Sequence, residues 1–163
     1  MKVIICGCGN VGSSIASYLF KEGHQVTLID ADVEQLKKIE DEMDVQTITG
    51  QASSPEILKT AGASDADLII AVTHSDEVNM IICFEAAKLF NVPLRIARVR
   101  SGFYANQGYV PLFNDLHIDV VISPEKEIAR TILRNIKTPG ALEFVNMQGN
   151  AVFIGTKCVA GCD

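Results

Sequence analysis

Gly7, Gly9 and Gly12 stand in G-x-G-x-x-G spacing, directly after the apolar run Val3-Ile4-Ile5-Cys6 and directly before a helical stretch. Each glycine answers a different demand. Gly7 permits a tight turn, Gly9 lets the backbone approach a diphosphate, and Gly12 lets the helix pack closely on the strand. A helix start presents unpaired N–H groups and the positive end of a dipole, so phosphates are held without a lysine. Asn10 and Val11 supply donors from this turn, and Cys8 lies within it. About 20 residues after the glycines, Asp30 ends a second strand, where a carboxylate accepts both ribose hydroxyls. A negative charge there repels a 2′-phosphate, which favours NAD(H), or an adenine nucleotide such as ATP or ADP, over NADP(H). Ala31 and Asp32 continue the same rim, with Asp32 read as a helix cap that could share the ribose role.

Residues for catalysis are harder to find. A dehydrogenase needs an acid or base at the nicotinamide, yet Tyr18, Tyr104 and Tyr109 are followed four positions on by Glu22, Gly108 and Phe113, not lysine. Neither a phosphate-loop G-x-x-x-x-G-K, nor H-E-x-x-H, nor G-x-S-x-G occurs. His24 and His117 precede strands and read as surface residues. Thr73-His74 closes a fourth strand on the nucleotide side, where His74 is a candidate for ligand contact and not for chemistry. Among the five cysteines, Cys6 and Cys8 read as packing and turn residues. Cys158 and Cys162 lack the second Cys/His pair that a metal site needs. The expectation is a site for binding, with no catalytic and no metal-ligating residues.

Elements that would hold this site alternate along the chain. Strands are expected at Lys2–Cys6, Gln25–Ile29, Val45–Thr49, Leu68–Val72, Leu94–Val99 and Val120–Ile122. Helices are expected at Val11–Lys21, Val33–Glu42, Pro55–Ala61, Glu77–Phe90 and Glu125–Asn135. The strands are nearly all apolar, as strands covered on both faces are. Gly23, Gly50 and Gly62 sit at element ends, while Asp32, Ser54, Ser75 and Ser123 sit at helix-cap positions. Right-handed crossovers then give an α/β fold: a Rossmann-type, doubly wound, mainly parallel six-stranded sheet with helices on both faces.

The 163 residues, 48% apolar, suffice for one domain with a core. A net charge of −6 without a basic block excludes a nucleic-acid or anionic-membrane surface. No apolar run reaches the ~20 residues of a membrane span, and the N-terminus lacks a signal-peptide core. A cytoplasmic location is therefore expected, with thiols instead of disulfides. After Asn135, Thr138-Pro139-Gly140 breaks the last helix, and Leu142–Gln148 and Ala151–Ile154 read as two short strands. The expected division is a nucleotide-binding domain over 1–136 and a linker or short strand-containing tail over 137–163.

Four segments together carry a family resemblance: Gly7–Gly12 with Asp30; Gly50-Gln51-Ala52 leading to Pro55-Glu56-Ile57-Leu58; Ala66-Asp67 with Ala71-Val72-Thr73; and Ile96-Ala97-Arg98-Val99-Arg100. From Met1 to about Arg134 the chain resembles the nucleotide-binding N-terminal lobe of the RCK (KTN) domain, in particular TrkA-type regulatory subunits of Trk potassium-uptake systems. The resemblance implies that Gly50, Gln51 and Ala52 border the adenine, that Thr73 and His74 line the far side, and that Arg98 and Arg100 lie near phosphate or ribose. On their own terms Arg98 and Arg100 alternate on one strand face and suit an anion, with a surface ion pair as the other reading. Gln51 departs from the family, many of whose members carry an acidic residue there. The resemblance implies no catalysis. Nucleotide occupancy would instead shift a ring of such domains beneath an integral-membrane potassium-translocating subunit, placing the chain at the inner face of the cell membrane. The family's C-terminal lobe has no counterpart here, which reads as a fragment or a short subunit.

The helix Glu77–Phe90 is apolar around nearly its whole circumference, interrupted by Asn79, Glu85 and Lys88. A sheet covers only one side of a helix, so the outer face is expected to form a homodimer or a higher ring. The competing readings are a small NAD-dependent oxidoreductase or epimerase, and a free-standing redox or nucleotide sensor.

Overall fold

A computed structural model describes residues 1–101, 104, 110–137, 141–146 and 152–156. They divide into two compact units, Met1–Ser123 and Pro124–Asp163. The first holds strands β1 (Lys2–Cys6), β2 (Gln25–Asp30), β3 (Gln46–Thr49), β4 (Leu68–Ala71), β5 (Leu94–Arg98) and β6 (Val120–Ile122). Between them run helices α1 (Asn10–Lys21), α2 (Val33–Glu42), α3 (Pro55–Thr60), α4 (Asp76–Phe90) and α5 (Val110–Asp115), with a 3-10 turn at Ala63–Asp65. The sheet is wholly parallel in the order β3-β2-β1-β4-β5-β6. The Rossmann expectation is met, and the order reverses between β1 and β4.

Period-two alternation sends neighbouring residues of one strand into different cores. Val3 and Ile5 of β1 join Val26, Leu28 and Ile70 in one cluster with Ala16, Leu36 and Ile39 of α1 and α2. Ile4 and Cys6 join Ile29, Ile69 and Ala97 in the other, with Leu58 of α3 and Ile82, Cys83 and Ala86 of α4. All four residues of β4 are buried, as the central position requires.

Helix ends follow their capping residues. The Asp32 side chain accepts from the N–H groups of Glu34 and Gln35, and the Ser75 hydroxyl accepts from Val78 N–H. Ser54 occupies the cap position of α3 with extended backbone but makes no side-chain cap bond. Gly23 and Gly62 take positive φ, whereas Gly50 is there for space: a Cβ on it would meet Ile57 Cδ1 at 2.6 Å. Helix α5 carries no periodic apolar pattern long enough to stand out in the sequence. It forms because Phe113, and Ile118 just beyond it, bury against the α4-side core.

The second unit contains α6 (Pro124–Lys137) and an antiparallel pair, β7 (Ala141–Asn146) with β8 (Val152–Thr156). Strands are thus present in both expected tail segments. Cys158 and Cys162 lie outside the described residues. Among the described residues no helix is long and apolar enough to cross a membrane.

Candidate functional site

The turn after β1 is set by backbone geometry and crowding. Gly7 has φ +107, and a Cβ there would lie 2.9 Å from Thr73 N. Its N–H donates to Ile29 O at 2.8 Å, fixing the turn to the end of β2. Gly12 is more tightly constrained: its Cβ would lie 1.8 Å from the Gly7 carbonyl oxygen. Gly9 differs from both. Its φ of −63 and ψ of −177 suit any residue, and no atom lies within 4 Å of its Cβ position. The fold therefore has no need of glycine at position 9. A ligand approaching that backbone does.

Gly9 is also the N-cap of α1, and it makes no side-chain cap bond. The first hydrogen bond of the helix runs from Ser13 N–H to Gly9 O. The N–H groups of Asn10, Val11 and Gly12 precede it and point out of the helix end. With the helix dipole they make this helix end electropositive, the arrangement that suits an anion.

A cleft of 730 Å³ opens at the carboxyl ends of the strands beside this turn. Gly7 and Gly9 form its floor with Ile29 and Val72. One rim holds Asp30, Ala31, Asp32, Gln51 and Ala52; the other holds Thr73, His74 and Arg98. Its place, at the reversal of strand order, is where ligands bind in open α/β sheets. A second cavity of 520 Å³, lined by Lys2, His24, Asp44 and Asp65 among others, lies at the amino ends of the strands, away from the starts of α1 and α4.

The carboxylates of the cleft are already engaged. Asp30 Oδ2 accepts from Cys8 N–H at 2.6 Å and Oδ1 from Asp32 N–H at 2.9 Å, so this one side chain joins the glycine turn to the β2–α2 loop. A carboxylate has about four lone-pair sites, which leaves capacity for hydroxyl donors. Asp32 accepts from the Gln35 side chain besides its two cap bonds. Backbone and side-chain bonds from Gln35 hold its carboxyl below the ordinary range. The cap is therefore fully present above the usual aspartate value, and it is lost as pH falls through the lowered one. Burial, with Asp30 and Asp32 adding to it, pushes the Cys8 thiol up to about 12, and burial likewise raises Cys6. Both thiols stay protonated and act as packing residues, in line with the sequence reading.

Cys8, Asn10, Val11 and Gly12 belong to the turn and the first helical turn rather than to the cleft lining. Arg98 and Arg100 do not alternate along one strand, because β5 ends at Arg98. Arg100 turns outward. Its guanidinium donates to the His74 carbonyl and lies 3.8 Å from Asp76 Oδ1, and its N–H donates to the same carboxylate at 3.0 Å.

Other residues of the site escaped sequence reading. Gln35, Ser53 and Val78 line the cleft. Behind it, Asn79 of α4 is 0% exposed, and its Oδ1 accepts from Thr73 N–H at 2.8 Å and Thr73 Oγ1–H at 2.7 Å. A polar residue among the apolar residues Val78, Met80, Ile81 and Ile82 is its signal.

The TrkA-N domain family model matches residues 3–124. The chain is 41% identical over 165 residues to the Trk system potassium uptake protein TrkA of Azorhizobium caulinodans, covering 99% of this chain and 36% of that protein. Against the protein of the same name from Haemophilus influenzae it is 42% identical over 156 residues, covering 94% and 34%. The chain thus spans about a third of the length of these curated relatives. Among solved structures, the TrkA-N domain of the Escherichia coli inner membrane protein ybaL superposes with a TM-score of 0.71 at 22% identity, covering 82% of this chain and 94% of that one. The GsuK channel bound to NAD gives 0.69 at 18%, covering 90% and 25%; GsuK bound to ADP gives 0.65 at 23%, covering 84% and 34%. These structural likenesses establish the fold.

Proposed function

This chain belongs to the TrkA-N domain family, and we propose that it is a nucleotide-sensing module that regulates a potassium-translocating membrane protein without catalysis. The observation that carries the reading is Gly9, where ordinary backbone angles and open space leave room for a diphosphate. The names of its relatives, and of the channel structures holding NAD or ADP, support the same reading.

In this proposal the backbone from Gly7 through Cys8, Gly9, Asn10, Val11 and Gly12 holds the diphosphate of NAD(H), with ATP or ADP as the alternative ligand. Asp30, Ala31 and Asp32 take the ribose. Gln51 and Ala52 flank the adenine, Thr73 and His74 form the far wall, and Arg98 offers a cation. Arg100 acts indirectly, by fixing the His74 carbonyl. The bound nucleotide supplies negative charge, ribose hydroxyls and, for NAD(H), a redox state to be reported. A non-catalytic role is supported by the cleft's two carboxylates, both occupied in backbone hydrogen bonds and so poorly placed to move protons. The outer face of α4 pairs copies of the chain into a dimer or ring at the cytoplasmic side of the pore subunit. Residues 1–136 form the sensing lobe and 137–163 a linker or add-on.

Asp30→Ala should weaken NADH binding by about 1.5–3 kcal/mol, the scale of hydrogen bonds to a charged group, and narrow the preference over NADPH. Calorimetric titration of both chains with NADH, NADPH, ATP and ADP measures this. Equal affinity of the unmodified chain for NADH and NADPH would refute the ribose role. A sustained absorbance change at 340 nm with carbonyl or hydroxyl substrates would turn the assignment toward an oxidoreductase.

A further inference from the structure

The first turn of α4 buries two polar side chains, Asp76 and Asn79, in a helix otherwise buried through apolar residues. Buried amides persist where their donors and acceptors are met. Asn79 meets all of its own on strand ends that line the cleft. Besides the two bonds its Oδ1 accepts from Thr73, its Nδ2 donates to Thr73 O at 3.3 Å and to Arg98 O at 2.9 Å. N–H and O–H donors face one atom of the amide and carbonyls the other, so the network fixes which way it points. Thr73 follows β4 and Arg98 ends β5, so one side chain holds two walls of the cleft together. Just beyond, Asp76 ties the start of α4 to the segment after β5, accepting from Arg100 N–H and from Ser101 N–H, the latter at 2.7 Å.

We propose that Asn79 is the positioning residue that couples the cleft to α4: it sets Thr73 and Arg98 for the ligand and transmits their displacement to the helix. The inference rests on the nucleotide-binding reading above. A helix moves nearly as a rigid body, so what shifts Asn79 also shifts Ile81 and Phe84, which lie exposed further along the same helix. Thr73 itself gains or loses contacts with the ligand while bonded to Asn79 through both its N–H and its hydroxyl.

Hydrogen exchange on the 163-residue chain, with NADH and separately ADP as probes, tests this. In the unmodified chain either probe should slow exchange in residues 7–12 and in the first turns of α4. Asn79→Asp keeps an acceptor for Thr73 but turns an anionic oxygen on the carbonyls of Thr73 and Arg98. Affinity should fall about tenfold, the equivalent of one good hydrogen bond. At saturating NADH the protection of residues 7–12 should persist while that of α4 is lost. A purely structural role would lower the melting temperature and leave ligand-dependent protection of α4 intact, which would overturn the proposal. So would protection of residues 7–12 without any at α4 in the unmodified chain. Should Asn79→Asp fail to melt cooperatively, Thr73→Val removes the hydroxyl bond to Asn79, together with the hydroxyl's weaker contacts to Ser75 N–H and O, and must still reduce the ligand-dependent protection of α4; no reduction refutes the coupling. If neither probe protects any part of the unmodified chain, the nucleotide reading itself fails and this inference with it.

Discussion

Gly9→Val is expected to fold like the parent chain and to bind NADH about a hundredfold or more weaker, a loss of roughly 2.7 kcal/mol. The two halves of that expectation have separate causes. Position 9 has backbone angles open to any residue and nothing within 4 Å of its Cβ, so valine meets no obstacle in the protein. The obstacle is the diphosphate, whose place the side chain would take. Gly12→Ala should behave in the opposite way. Its methyl group would sit 1.8 Å from the Gly7 carbonyl oxygen and 3.3 Å from Val72 Cγ2. The nearest of these is backbone and cannot rotate aside, so the loss should appear as stability, at the upper end of the roughly 1–3 kcal/mol typical of overpacking or beyond it. Denaturant unfolding and calorimetric titration of both variants separate the cases. Unchanged affinity in Gly9→Val would remove the turn from the phosphate site, and wild-type stability in Gly12→Ala would contradict the tight approach of α1 to β1.

Charge placed on the outer face of α4 should break an assembly while sparing the cleft. Ile81 is 44% exposed, Phe84 36% and Leu89 56%, a run of apolar surface on a helix whose other side is core. Contiguous patches of this kind are unusual on soluble monomers when they exceed a few hundred Å². The unmodified chain is expected to scatter light as a dimer or larger ring at high micromolar concentration. Ile81→Glu or Phe84→Asp should convert it to monomer, because an unpaired charge buried in an interface costs several kcal/mol. Ala87 is half-buried and serves less well. NADH affinity should stay within a few-fold, since none of these side chains lines the cleft. A stable monomer from the unmodified chain defeats this expectation. In Asn79→Asp, by contrast, affinity should fall without dissociation, which distinguishes the coupling residue from the surface it acts on.

Features whose cause is local are legible in the residues themselves. The glycine spacing, the near-continuous apolar strands and the caps at Asp32 and Ser75 act over a few residues, and β1 and α2 fall on their expected bounds. Parallel pairing of the strands follows from right-handed crossovers. That both acidic groups and the glycine turn meet at one edge is likewise implied by Asp30 ending β2. Effects that exist only once distant segments touch leave no such mark. A helix apolar around nearly its whole circumference has no stripe to show which side faces the sheet, so the outward face of α4 is settled by packing against β4 and β5. Asn79 looks in sequence like an interruption of that helix. Its role depends on Arg98, 19 residues away, arriving beside Thr73. The spacing of Arg98 and Arg100 suggests partners on one strand, but the strand ends between them and Asp76, 24 residues earlier, captures the Arg100 N–H. Cys8 and Asp30 meet across 22 residues through a backbone N–H, which no side-chain pattern records. Residue types and their spacing therefore specify a tight glycine turn on a doubly wound sheet. Tertiary contact alone chooses which polar groups remain available at the cleft, because a hydrogen bond made within the chain consumes the donor or acceptor that a ligand would otherwise meet.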